Sequence, residues 1–249
     1  MTQCGPAPRA LVLAAGLGSR LRGIAGDLPK PLLPIGGEPI LARNLRWLSQ
    51  GGVREVVINL HFEPDAVRAE IGDGAAMALR VSYVHEPVLL GTAGALANIA
   101  DVFAQTMLVV YGDNLVHFDL QALLDRHAAS GALATLALFD QDRNLHTGIA
   151  GGRVLLDVAG VVTAFVEGGP QVSAGLVNAG VYVVEPDILD LIPRRRLVDF
   201  GREVFPAMLA QGLPVAGHVI EPAGYCLGLD TPESFAAGQA LLDQGRLTS

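Results

Sequence analysis

Apolar positions along the chain fall into two alternating patterns. Short, nearly continuous apolar runs near residues 10–15, 55–60, 80–84, 106–111, 132–139, 161–166, 176–184 and 215–220 predict strands, bounded by turn residues or charges. Helix-like spacing near 39–50, 64–72, 92–100, 119–130, 201–211 and 232–244 predicts helices. Asp119 and Thr231 stand where N-caps are expected, and Pro232 suits a first helical position. Strands that alternate with helices belong to a mostly parallel sheet covered on both faces. The expected fold is therefore an α/β three-layer sandwich. Residues 141–175, rich in glycine and short apolar runs, are expected to add a small β-rich lobe.

Composition narrows the class. A chain of 249 residues can bury one substantial core, so a single domain over 1–249 is expected, in two parts of about 1–140 and 141–249. Hydrophobic residues make up 51% of it, yet charges or turn residues interrupt every apolar run before about 18 residues. No membrane partner is expected. The opening MTQCGPAPRA lacks the apolar core of a secretion signal, so a cytoplasmic location is expected. Cys4 and Cys226 are isolated and support neither a disulfide framework nor a zinc site. A formal charge of −8 argues against nucleic acid as a partner. The basic run Arg194-Arg195-Arg196 reads as a solvated loop.

The chemistry concentrates in residues 11–41. There the apolar run Leu11 to Ala15 breaks at Gly16-Leu17-Gly18-Ser19-Arg20. A glycine-rich turn between strand and helix cradles anions, because unpaired amides and the helix dipole both face the ligand. The dinucleotide fingerprint fails, since its third glycine would fall at Leu21. Arg20 and Lys30 flank the turn and could balance a triphosphate. Lys30 is the one lysine among sixteen arginines, which suits a site needing a compact point charge rather than a planar fork. Asp113 follows the apolar run 107–111 and Gly112, so it should emerge at the carboxyl end of a central strand, where open sheets bind ligands. A carboxylate there can hold magnesium against phosphate oxygens.

Residues 11–41 resemble the signature of the sugar-1-phosphate nucleotidylyltransferases, approximately LAAGxGxRLxPxTxxxPKPLxPIxxxPIL. The likeness continues in order through EPVLLGTAGAL, VVYGDN, FVEGGP, LVNAGVYV and LDTPESF. VVINLHFEPDAVRAEIGDG, residues 56–74, is similar to short guanylyl- and uridylyl-transferases acting on mannose-, heptose- or muramic-type phosphates. The resemblance implies a Rossmann-like fold and a Mg²⁺-dependent transfer between a nucleoside triphosphate and a sugar 1-phosphate. It implies Arg20 and Lys30 as catalytic residues. Leu13, Ala14, Ala15, Gly16, Gly18, Ser19, Glu86, Gly91 and Thr92 would bind nucleotide. Gly112, Glu167 and Asn178 would bind acceptor, and Asp113 the metal. The parts 1–140 and 141–249 would then serve nucleotide and acceptor, the second including a C-terminal helix.

Two departures stand out. The family's second metal aspartate falls at Gly228, and Asp230, two residues later, is the expected substitute unless it only caps the following helix. The family's Glu-Lys-Pro reads Glu167-Gly168-Gly169-Pro170, without the lysine that neutralises the acceptor phosphate. Either Arg143, His146 or Arg153 reaches in, or acceptor binding is weak, or the acceptor differs.

A carboxylate only accepts hydrogen bonds, and guanine offers two adjacent donors, so Glu86 tilts the expected base toward GTP. The sequence thus predicts a GTP-dependent transferase with a mannose- or heptose-like acceptor. A UTP- or dTTP-dependent enzyme, a choline-phosphate cytidylyltransferase and a non-catalytic nucleotide-binding homologue stay open. So does the oligomeric state, including a homo-oligomer.

Overall fold

The structure, a computed structural model, describes residues 8–26, 28–102, 105–148, 151–167 and 175–247. Its strands are β1 (Arg9–Leu13), β2 (Pro34–Ile35), β3 (Glu38–Pro39), β4 (Glu55–Leu60), β5 (Arg80–His85), β6 (Met107–Tyr111), β7 (Asn114–His117), β8 (Ala134–Asp140), β9 (Leu145–His146), β10 (Arg153–Leu156), β11 (Val162–Val166), β12 (Leu176–Val184), β13 (Val215–Val219) and β14 (Tyr225–Gly228). The α-helices are α1 (Arg22–Ala25), α2 (Ile40–Gln50), α3 (Pro64–Ile71), α4 (Gly91–Asn98), α5 (Leu120–Ser130), α6 (Phe205–Ala210) and α7 (Pro232–Asp243).

The main sheet runs β11-β10-β12-β6-β1-β4-β5, with β8 on β12 and β13 on β8. Pairings among β6, β1, β4 and β5 are parallel, and those of β12 are antiparallel. Alternating side chains face opposite layers, as the period of two requires. In β1, Ala10 and Val12 pack with Leu41, Leu45 and Trp47 of α2, Val67 of α3 and Leu123 of α5, all buried. Leu11, between them, packs with Ala93 and Leu96 of α4 and Phe205 and Met208 of α6. The expected sandwich is present as a mixed sheet between two helical layers.

Each strand and helix predicted from the pattern has a counterpart. The helix expected at 201–211 begins as a π-helical turn, Phe200–Val204, and continues as α6. The β-rich region expected at 141–175 is divided. β10 and β11 extend the main sheet through β12, while β9 joins β14 and β7 in a three-stranded sheet. That small sheet shares a third apolar cluster with residues before and after Lys30: Leu21, Leu33, Ile35, Leu115, Leu227 and Leu229 are buried together. Helix α7 covers it closely, since a Cβ on Gly238 would lie 2.7 Å from Leu229. This packing carries Lys30 and Asp230 to one place. Among the described residues, no helix is long and apolar enough to cross a membrane. Cys226 is buried and donates to the Ala179 carbonyl, and Cys4 lies outside the described residues.

Candidate active site

Three elements bring their ends together at the carboxyl edge of the parallel strands. β1 leads into residues 14–18, β6 into Gly112-Asp113, and β14 into Leu229-Asp230. Gly112 donates to the Leu13 carbonyl at 2.9 Å, and a Cβ there would lie 2.9 Å from the same oxygen. The strand ends can approach only because position 112 is glycine. Gly18 answers a similar need: its φ is +55°, and a Cβ would meet that of Lys30 at 2.8 Å. Among the described residues, no acceptor takes the amides of Gly16, Leu17 or Gly18, which leaves them for an anion.

Lys30 Nζ donates to Asp230 Oδ1 at 2.5 Å and to Asp113 Oδ2 at 3.0 Å. The lysine side chain is 4% exposed, the two carboxylates 44% and 33%. Burial by itself would lower the Lys30 pKa, but the two aspartates outweigh it and hold the ammonium above its ordinary value. Asp230 is free of capping duty. Thr231 caps α7 by accepting from the Ser234 amide, and the Ser234 hydroxyl closes a capping box. Two carboxylates converging on one ammonium also suit Mg²⁺, which binds through one or two carboxylates with substrate phosphates completing its shell. The residues therefore fit the metal that the sequence implied.

Next to this point lies a cavity of about 340 Å³, lined by Tyr111, Asp113, Glu167, Asn178, Asp199 and Asp230 with neighbouring backbone. The Glu167 carboxylate occupies a slot between two glycines, since a Cβ on Gly152 or Gly201 would come within 2.6 or 2.7 Å of it. Burial, then the charge of Asp199, raises its pKa above the ordinary value; Arg202 partly offsets them. Asn178 spends part of its amide internally, donating to Tyr182 Oη at 2.7 Å and accepting from the Gly180 amide. It ties a bulge in β12 while still lining the cavity.

Some expectations change on the nucleotide side. Glu86 was expected to present its carboxylate to the base. Instead it is 1% exposed and accepts from Asn59 Nδ2 at 2.9 Å and the Leu90 amide at 3.3 Å. The carboxylate lies inside because buried donors on β4 and before α4 need an acceptor. Asn59 also accepts from the Ala14 amide at 2.8 Å, linking Glu86 to the glycine loop. Thr92 turns away likewise: its hydroxyl donates to Asp199 Oδ2 and accepts from the Phe200 amide, both at 2.9 Å. Gly91, at φ +75°, leaves no room for a Cβ, which would lie 2.5 Å from the Val198 carbonyl. Arg20 is exposed beside the loop. Leu13 and Ala15 are in place at the end of β1, and of Ser19 the backbone alone is described, in a 3₁₀ turn.

None of Arg143, His146 and Arg153 is among the residues lining the cavity. His146 packs on Phe139 and accepts from the Gly148 amide. Gly168, Gly169 and Pro170 lie outside the described residues. Sequence reasoning passed over Asn59, Tyr111, Asn114, Asp199 and Arg202. Asn59 left a trace, a polar residue inside an apolar strand run, whereas Arg202 was hidden in the helix expected at 201–211 and Asp199 stands just before it.

Comparison with known proteins bears on the family and the fold. Residues 9–224 match the model of the Nucleotidyl transferase family. A mannose-1-phosphate guanylyltransferase of Mycobacterium tuberculosis is 39% identical over 238 residues, covering 95% of this chain and 65% of that protein. A UTP–glucose-1-phosphate uridylyltransferase of Synechocystis is 31% identical over 221 residues, 83% of this chain and 56% of its own length. The chain thus spans about two thirds or less of these relatives. The crystal structure of HddC from Yersinia pseudotuberculosis shares the fold, with a TM-score of 0.78 at 23% identity over 94% of this chain and 99% of that one. With the family match extending from the first strand past the last cavity-forming segments of the main sheet, the chain belongs to the nucleotidyl transferase family.

Proposed function

We propose that the chain joins a nucleoside triphosphate, GTP by preference, to a sugar 1-phosphate of manno type, giving an NDP-sugar and pyrophosphate. The observation that carries this reading is the convergence of Lys30, Asp113 and Asp230 beside the unpaired amides of Gly16 to Gly18 and an adjoining sugar-sized cavity. The guanine preference rests on the mannose-1-phosphate guanylyltransferase likeness, not on Glu86.

The reaction is an in-line displacement. An acceptor phosphate oxygen attacks the α-phosphorus, a new P–O–P bond forms, and the bond to the β-phosphate breaks as pyrophosphate leaves with the electron pair. A phosphate monoester is already anionic, so no protein nucleophile is required, and catalysis is positioning plus charge stabilisation. The amides of Gly16 to Ser19 and the guanidinium of Arg20 hold the departing phosphates. Lys30 meets the charge growing on the α-phosphoryl oxygens. Asp113 and Asp230 would hold Mg²⁺, which when bound would supply divalent positive charge to offset that of the phosphates. Glu167 and Asn178 orient sugar hydroxyls from the cavity wall.

A second acceptor class is favoured by one observation: four carboxylates around the cavity would also suit the cationic head of choline phosphate. Mass spectrometry of products formed from each of five nucleoside triphosphates with mannose 1-phosphate, glucose 1-phosphate or choline phosphate decides between them. GDP-mannose is the expected product. CDP-choline would replace the sugar reading, and no product from any pair would leave a nucleotide-binding role instead.

A further inference from the structure

We infer that Asn59 sets where the amides of the glycine loop point, and so positions the triphosphate; this rests on the function proposed above and names a positioning residue for its nucleotide. Asn59 lies in the apolar run of β4, is 3% exposed and is not among the residues lining the cavity. A side-chain amide buried in such a place needs partners at both ends. Asn59 has them: Oδ1 accepts from the Ala14 amide at 2.8 Å, and Nδ2 donates to Glu86 Oε1 at 2.9 Å. Ala14 is the first residue past β1, and the unpaired amides of Gly16 to Gly18 follow closely.

The position demands an amide, one end accepting and the other donating. Aspartate could take the Ala14 N–H but would set a second carboxylate against Glu86, and an alkyl side chain would orphan both partners. Glu86 is itself fixed on several sides. Its Oε2 accepts from the Leu90 amide, its own amide donates to the Leu60 carbonyl, and its carbonyl accepts from His61 Nδ1 at 2.7 Å. The Leu90 carbonyl accepts in turn from the Val198 amide at 2.9 Å, just ahead of the π-turn. The root of the glycine loop is thereby held to a frame of β4 and the segment before α4, while the loop's own amides stay uncommitted. At the loop's other end Gly18 leaves little slack, because a Cβ there would meet that of Lys30 at 2.8 Å. Donors fixed in advance need no reorganisation when an anion arrives, and a displacement of about 1 Å at the root would carry them off the phosphate oxygens. Asn59 itself touches no ligand in this account and acts through Ala14.

The test is calorimetric titration of the full chain and three variants with inorganic pyrophosphate, GTP and mannose 1-phosphate. The variants are Asn59→Asp, Glu86→Gln and the exchange that combines them. Circular dichroism melts accompany each titration, and steady-state kinetics give KM for both substrates. Each single variant opposes like groups, two carboxylates in one and two donors in the other, whereas the exchange gives every donor an acceptor again. Each single variant should weaken pyrophosphate and GTP and raise the GTP KM roughly ten- to a hundredfold, the scale of one charge-assisted contact, and should move mannose 1-phosphate less than about threefold. The exchange should return pyrophosphate and GTP affinity to within about threefold of the unsubstituted chain, as coupling between the two positions requires. A merely structural role would lower the melting temperature and leave the pyrophosphate affinity of the folded chain untouched. Unchanged pyrophosphate affinity in either folded single variant therefore overturns the assignment, even if the chain turns over as proposed. Should Asn59→Asp not fold, Glu86→Gln and the exchange decide: an exchange that regains the melting temperature but not the pyrophosphate affinity also overturns it. Pyrophosphate binding that follows the expected pattern in a chain without any turnover would uphold the assignment and sink the catalytic reading instead.

Discussion

Lys30 joins the site's two aspartates in one ion triad, and its surroundings define what its loss should do. The ammonium is covered and sits between two carboxylates, while the root of the side chain, its Cβ, lies against Gly18. Lys30→Met should lower turnover by roughly 10²–10³, the scale of one transition-state contact. It should also leave Asp113 and Asp230 facing each other unneutralised. Added Mg²⁺ should therefore raise the variant's melting temperature more than it raises that of the unsubstituted chain; equal shifts would mean that metal and ammonium do not compete for the aspartates. Glu86 leads to a different expectation. Its carboxylate serves Asn59 and Leu90, so Glu86→Gln places an amide against a donor, destabilises the fold by about 1–3 kcal/mol and weakens GTP and UTP alike. A clean exchange of base preference without destabilisation would return Glu86 to direct base contact. Glu167 gives a pH signature. Its folded pKa lies above the ordinary 4.5, so stability from this group is present below the unfolded pKa and lost as pH rises through the folded one. Glu167→Gln should melt higher than the unsubstituted chain at pH 7, with the gain fading toward pH 4, and melting curves across that range read it directly.

At the scale of elements, the pattern of apolar residues was enough for the eight principal strands and most helices, because the central strands of the sheet are buried on both faces and read as nearly continuous apolar runs. It missed β7 and β14, four-residue strands that pair with each other across distant parts of the sequence, and β10, whose four residues form a hairpin with β11 but are too few to show a period of their own. The glycine loop, Lys30 and Asp113 were legible because each sits at the junction of a strand and a turn. The cavity wall was less so. Arg202 and Asp199 owe their positions to a π-turn that has no sequence period, and the burial of Glu86 was not legible because its partners, Asn59 and the Leu90 amide, come from separate elements. The link between α4 and the π-turn makes a further expectation. Thr92→Val removes a donor to Asp199 and an acceptor for Phe200, and should destabilise by about 1–3 kcal/mol while raising the acceptor KM more than that of GTP. Equal KM changes for both substrates would show that this stitch does not position the acceptor side.

Across the whole molecule, chemistry is placed where parallel strands end. β1 and β6 deliver the glycine loop and the Asp113 carboxylate, and the antiparallel half built on β12 closes a cavity against them. The third apolar cluster brings the far end of the chain back, so that Asp230 meets Lys30 across 200 residues of sequence. A nucleotide on one side and an acceptor on the other would meet at that ion triad. The most direct test is pyrophosphate release from GTP and mannose 1-phosphate, followed against Mg²⁺ concentration in the unsubstituted chain and in Lys30→Met. Release that requires both substrates and Mg²⁺, and that falls on the order of a hundredfold or more in the variant, is the predicted result. Release without added metal, or a variant within about threefold of the unsubstituted chain, would contradict the role given to Lys30, Asp113 and Asp230.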